Sequence, residues 1–122
     1  MTNTTKYDLE ERLIDFAITV SDIIEALPNT RLGIYLAGQL VRSGCWPALN
    51  YGEAQSAESR NDFIHKMKII LKELRESMIS LKIIERKGLH NLDKTIEAKN
   101  ECNQLIAIFV KSIDTAKKNN IK

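Results

Sequence analysis

Aromatic residues are scarce in this sequence: one tryptophan, three tyrosines and three phenylalanines among 122 residues, 6% of the chain. Proline occurs only twice. No stretch alternates apolar and polar residues as a half-buried strand would, and no internal repeat or low-complexity block is present. Leu, Ile, Lys and Glu dominate instead, which is the composition of a helical bundle. The two cysteines, Cys45 and Cys102, lie in different segments without CxxC spacing, which argues against a metal or redox site and for ordinary buried, reduced thiols. Neither sign of charge prevails. The chain carries 18 basic and 16 acidic residues for a net charge of +2, so any polyanion site has to arise from local clustering. The longest unbroken apolar run, Leu105 to Val110, falls far short of the roughly 20 residues that span a bilayer. Met1 to Lys6 lacks the apolar core of a signal peptide. A cytoplasmic protein with no membrane partner is expected.

The parts of a catalytic site are missing too. No Gly-rich phosphate loop, HExxH pair or nucleophile elbow occurs. The histidines, His65 and His90, have no ligand-type partner at helical spacing, and Glu53 and Glu58 have no pocket around them. Paired ExxH motifs, which di-iron bundles require, are absent. The reading is of a protein without catalysis, cofactor, metal or small-molecule substrate.

What the sequence does hold is helical periodicity. With 43% hydrophobic residues, the chain can close one core, and residues 1–122 read as a single domain. Four helices are expected, at about 8–26, 31–53, 59–87 and 91–118. In the first, Leu9, Leu13, Phe16, Ala17, Val20, Ile24 and Leu27 recur at steps of three and four. Pro28 ends it, and Asn29 or Thr30 caps the second. Leu36, Leu40 and Val41 anchor the second helix, where Pro47 predicts a kink or break after Gly44, with Trp46 packing into the core or an interface. Ser59 with Asp62 resembles a capping box opening the third helix, and Gly88 follows Arg86 and Lys87 as its C-cap. The fourth carries Leu92, Ile96, Cys102, Ile106, Phe109, Val110 and Ile113, and the lysine-rich tail after it is expected to fray. Short connections between long helices favour an antiparallel, up-down four-helix bundle of the all-α class.

The third helix has two apolar sides. Phe63, Met67, Leu71, Leu74, Met78 and Leu81 form the stripe expected to face the core, with Ile70 at its edge. Ile69, Ile79 and Ile83 project from roughly the other side, flanked by Lys68, Lys72, Arg75, Lys82 and Arg86. Such isoleucines are either scattered surface residues or, as read here, a contact with another subunit, and Trp46 joins them as an interface candidate. The basic flank could form rim ion pairs with Glu73 and Glu76 of a neighbour, or attract phosphate.

The stretch from Gln39 to Glu73 carries a longer pattern: Gln39-Leu40, Arg42-Ser43-Gly44, Asn50, Glu53-Ala54, Ser56-Ala57-Glu58-Ser59 and Asp62-Phe63-Ile64-His65-Lys66. It resembles the bacterial four helix bundle protein family, also called the 23S ribosomal RNA intervening-sequence protein family. Accessory variability proteins of diversity-generating retroelements are similar to that family. Glu101-Cys102, Leu105-Ile106 and Ala116-Lys117-Lys118 look like the family's last helix. The chain departs from the pattern at Cys45-Trp46-Pro47-Ala48-Leu49, where small residues are usual, and at Gly52, where a basic residue is common. The resemblance implies an up-down bundle, usually assembled as a ring-shaped homopentamer, and the similar accessory variability proteins work with a reverse transcriptase and nucleic acid. The resulting expectation is a non-enzymatic homo-oligomeric scaffold binding RNA, DNA or a nucleic-acid-handling protein through Arg42, Lys68, Lys72, Arg75, Lys82 and Arg86. The alternative is a protein-interaction module with no nucleic-acid role.

Overall fold

The computed structural model describes the backbone of residues 5–121 and the side chains of residues 9–119. Four helices follow one another: α1 (Thr5–Glu25), α2 (Arg31–Gln55), α3 (Arg60–Lys87) and α4 (Leu92–Ile121). Each packs on its sequence neighbour and α4 closes back on α1, so the helices stand at the corners of a square with no diagonal pairing between them. The connections are too short to cross the bundle, so each helix runs back along the one before it. This is an all-α four-helix bundle.

The helix boundaries follow from local chemistry. Thr30 is extended and its hydroxyl accepts from the Gly33 amide at 3.0 Å, which opens α2. Ser59 does the same for α3, accepting from the Asp62 amide at 3.0 Å, while the Asp62 carboxylate accepts from the Glu58 amide at 3.3 Å. Gly88 ends α3 in the left-handed conformation, φ 67°, which a residue without Cβ adopts without strain. Asn91 caps α4 through its side-chain oxygen, which accepts from the Lys94 amide at 3.0 Å.

Leu13, Phe16, Val20, Ile23, Leu40, Met67, Ile70, Leu74, Leu81, Ile84, Leu105 and Phe109 fill the interior. Several details differ from the expected pattern. Of the kink or break expected at Pro47, the break does not occur: α2 runs as one helix from Arg31 to Gln55 with Pro47 buried inside it, and the ring's fixed φ suits a helix. On α3 the buried stripe is rotated from the expected one: Ile64, Ile70, Ser77 and Ile84 lie inside, while Phe63, Leu71 and Met78 are only half-buried. Two neighbouring helices flank α3, so its buried arc is wider than a single apolar stripe and includes serines. On α1, Ile23 is buried and Ile24 half-buried. On the other helices, Val41, Leu92 and Ile96 are exposed, and Cys45 is half-buried. The lysine-rich tail stays helical to Ile121, because Ile113 and Ala116 anchor it to the core.

Candidate nucleic-acid and assembly surfaces

The pattern from Gln39 to Lys66 lies along α2, its connection and the start of α3, and much of it joins these elements to their neighbours. The Arg42 guanidinium donates from Nη1 to Glu73 Oε1 at 2.6 Å and from Nη2 to Glu76 Oε1 at 2.7 Å, with Gln39 Oε1 a third acceptor at 3.2 Å. Glu73 is buried at 7% exposure; a carboxylate there needs such a partner. The hydrogen bond to Glu76 and the charge of Glu73 hold the Arg42 proton even more firmly than usual. One turn on, the Ser77 hydroxyl donates to Ser43 Oγ at 2.8 Å in the interior. Gly44 faces the other way: a Cβ there would stand 2.8 Å from Val20 Cγ1, so glycine sets the close approach of α1 to α2.

Asn50 donates to the Trp46 carbonyl at 3.0 Å, inside the segment around Pro47. Glu53 is exposed and lines a notch at the end of the bundle with Ser56, Glu58, Ser59, Asp62 and Lys66. Lys66 pairs there with Asp62 at 2.7 Å, and its hydrogen bond pushes the Asp62 carboxyl below its ordinary range. Phe63 is half-buried against the core, and His65 is exposed.

The basic residues of α3 are arranged differently. At about 100° per residue, Lys68, Lys72, Arg75, Lys82 and Arg86 fall within about 80° of one another, with Ile79 among them. All five are exposed. Lys72 reaches Glu76 only at 4.0 Å, and among the described residues Lys68, Arg75, Lys82 and Arg86 have no ion pair. Of the acids on the same helix, Glu73 and Glu76 pair with Arg42 on α2 and Glu85 pairs with Lys99 on α4. Lys68, Leu71, Lys72, Arg75, Glu76 and Ile79 together line a shallow depression. Arg42 therefore stands apart from this group, on the α2 side of the helix. Glu73, offered in sequence to a neighbouring subunit, is already paired within its own chain.

Of the isoleucines opposite the core, Ile79 is 57% exposed and Ile83 39%. Ile69 is half-buried, and Trp46 is partly buried against the core. A larger apolar surface, missed in the sequence, lies across α1 and α2, where Ile14, Ile18, Ile34, Val41 and Leu49 are exposed. The signal was available: charged residues avoid one side of α2 along its whole length. Among the described residues no group of acidic, histidine or cysteine side chains could hold a metal ion, and no helix is long and apolar enough to cross a membrane.

The fold and these surfaces define a helical bundle with charged and apolar outer faces. It is similar to the crystal structure of a protein of unknown function from the S23 ribosomal protein family of Bacteroides thetaiotaomicron, with 26% sequence identity over 86% of this chain and 97% of that one, and a TM-score of 0.79. No family model matches the chain, and no curated protein does.

Proposed function

We propose that this protein is a non-catalytic, homo-oligomeric helical scaffold whose α3 face binds nucleic acid or a nucleic-acid-handling protein. The observation that carries this reading is the exposed cluster of Lys68, Lys72, Arg75, Lys82 and Arg86, while Glu73, Glu76 and Glu85 of the same helix are engaged by Arg42 and Lys99. Lys72 reaches Glu76 only at 4.0 Å and the other four form no ion pair among the described residues, so the cluster can attract a polyanion by releasing its counterions. Ile79 and Ile83 supply apolar contact on the same helix. The resemblance to the intervening-sequence proteins supports a pentamer and a bacterial, cytoplasmic setting.

Changing Lys72 and Arg75 together to Glu tests the surface. Both are exposed, so circular dichroism stays helical while affinity for single-stranded RNA or DNA, read by fluorescence anisotropy, falls by at least about tenfold at low salt. Retention of wild-type affinity and salt dependence overturns the assignment. Ile79→Asp tests assembly: it should lower the mass measured by light scattering with helicity unchanged, and an unaltered mass rejects α3 as a subunit contact. The second reading, a protein-interaction module, is favoured by the apolar surface of α1 and α2. It predicts that neither nucleic acid binds at all.

A further inference from the structure

We infer that the outer face of α1, with the apolar groove it shares with α2, receives the α3 face of a second copy of this chain, which rests on the homo-oligomeric reading above and names what α3 meets. At about 100° per residue, Glu10, Glu11, Ile14, Ile18, Asp22 and Glu25 share an arc of about 120° on α1. All six are exposed. The four carboxylates form no ion pair among the described residues. Arg12, the one base among the described side chains of α1, is turned away to Glu101 on α4.

Helix α3 presents the converse pattern. Ile79 and Ile83 are exposed, one turn apart, and cations alone flank them. Within the chain α1 and α3 do not touch; they stand at opposite corners of the bundle. Two apolar faces with flanks of opposite charge therefore point away from each other, and neither meets its complement inside the molecule. Their shapes differ as their charges do. Ile14 and Ile18 border a groove lined also by Cys45, Ala48 and Leu49, whereas Ile79 and Ile83 form a short ridge.

Charge selects the occupant and the symmetry. A two-fold pairing of like helices sets the carboxylates of α1 against carboxylates, or the cations of α3 against cations. Pairing α1 with the partner's α3 sets acid against base. Such a contact is heterologous, and a heterologous contact that closes makes a ring, in keeping with the proposed pentamer. Helices α1 and α3 run the same way in the bundle, so copies turned about an axis along it bring α1 parallel to the partner's α3. With Ile14 and Ile18 over the partner's Ile79 and Ile83, Asp22 comes towards the partner's Arg86. Exposed ion pairs of this kind choose the partner and add little affinity; burial of the isoleucines and Leu49 holds it. Arg75 and Lys82 lie about 60–80° round α3 from the middle of the ridge, at the margin of the contact, where a polyanion still reaches them.

Complementation between two damaged surfaces of the full chain tests the contact. Ile18→Asp damages α1 and spares α3; Ile79→Asp does the reverse. By light scattering each variant alone should have the mass of one chain, with helicity unchanged by circular dichroism. An equimolar mixture should give about twice that mass, joined through the one intact α1 and the one intact α3. A maleimide should label Cys45, on the groove, several-fold faster in either variant alone than in wild type, and in the mixture only the Ile79→Asp chain should regain protection. An Ile18→Asp protein of wild-type mass beside a monomeric Ile79→Asp overturns the α1 surface and leaves the α3 contact standing. A mixture that stays monomeric overturns it too. A wild-type protein with the mass of one chain, or an Ile79→Asp protein of unaltered mass, rejects the α3 contact itself and this pairing with it. Nucleic-acid binding by α3 is read separately on the Ile18→Asp monomer, whose cations are all untouched.

Discussion

Cys45 and Cys102 are one residue type in two environments. The Cys102 thiol is fully enclosed and donates to the Leu74 carbonyl at 3.2 Å. Burial, with the nearby charge of Glu101, pushes it from 9.0 up to about 12. Below pH 9 the folded and unfolded states both keep the proton. Between pH 9 and about 12 only the unfolded state gives it up, so stability is lost as pH rises, by up to about 1.4 kcal/mol per pH unit from this one group. Urea melts at pH 8 and pH 10.5 should show that extra loss in wild type and not in Cys102→Ala, after allowing for the variant's lower starting stability. A thiol reagent should label Cys45 alone in the native protein and both cysteines in denaturant. Rapid native labelling of Cys102 would contradict its enclosure.

At the scale of elements, the contact between α2 and α3 centres on Arg42, Glu73 and the Ser43–Ser77 hydrogen bond. Removing Arg42 leaves a buried carboxylate without its donor, whereas removing both charges leaves a smaller deficit. Arg42→Met should therefore destabilise the bundle, and Glu73→Gln in the same chain should recover part of the loss; a double-mutant cycle by urea denaturation measures the coupling. Zero coupling would mean that the clasp does not hold the helices. This element also shows how far the sequence was legible. Periodicity located four helices, and Thr30, Ser59 and Gly88 marked their ends, because those signals are local. The partners of Arg42 were not readable, because Glu73 lies 31 positions away and only the packed bundle brings the two together. The rotation of the α3 stripe escaped for a similar reason. Ser77 and Ser80 are buried, and a hydrophobicity pattern counts serine as an outward residue. The basic group on α3 was readable from spacing alone, since all five cations belong to one helix, whereas the exposed side of α2 was hidden because Val41, 48% exposed, follows directly on the buried Leu40 and was counted with it and Leu36 as a core anchor.

Across the whole molecule, charge is distributed unevenly although the net charge is only +2. The α3 face collects five cations, while the open groove between α1 and α4 is lined by Asp15, Asp93, Glu97 and Glu101; Glu101 there is held by Arg12 at 2.9 Å. The basic face and the apolar seams should therefore respond to salt in opposite senses. Contact between phosphate and about five cations weakens with a log–log slope of roughly −3.5 for single strands, so raising salt from about 50 to 200 mM should lower RNA affinity roughly a hundredfold. The proposed association through Ile79 and Ile83 would depend on burying apolar surface, which salt screening does not weaken. Measured on the same samples, the assembled mass should persist across that range while RNA binding is lost. If both fall together, ion pairs between subunits hold the assembly, and the cations of α3 are then engaged with a neighbouring chain's acids and are not free to meet a nucleic acid.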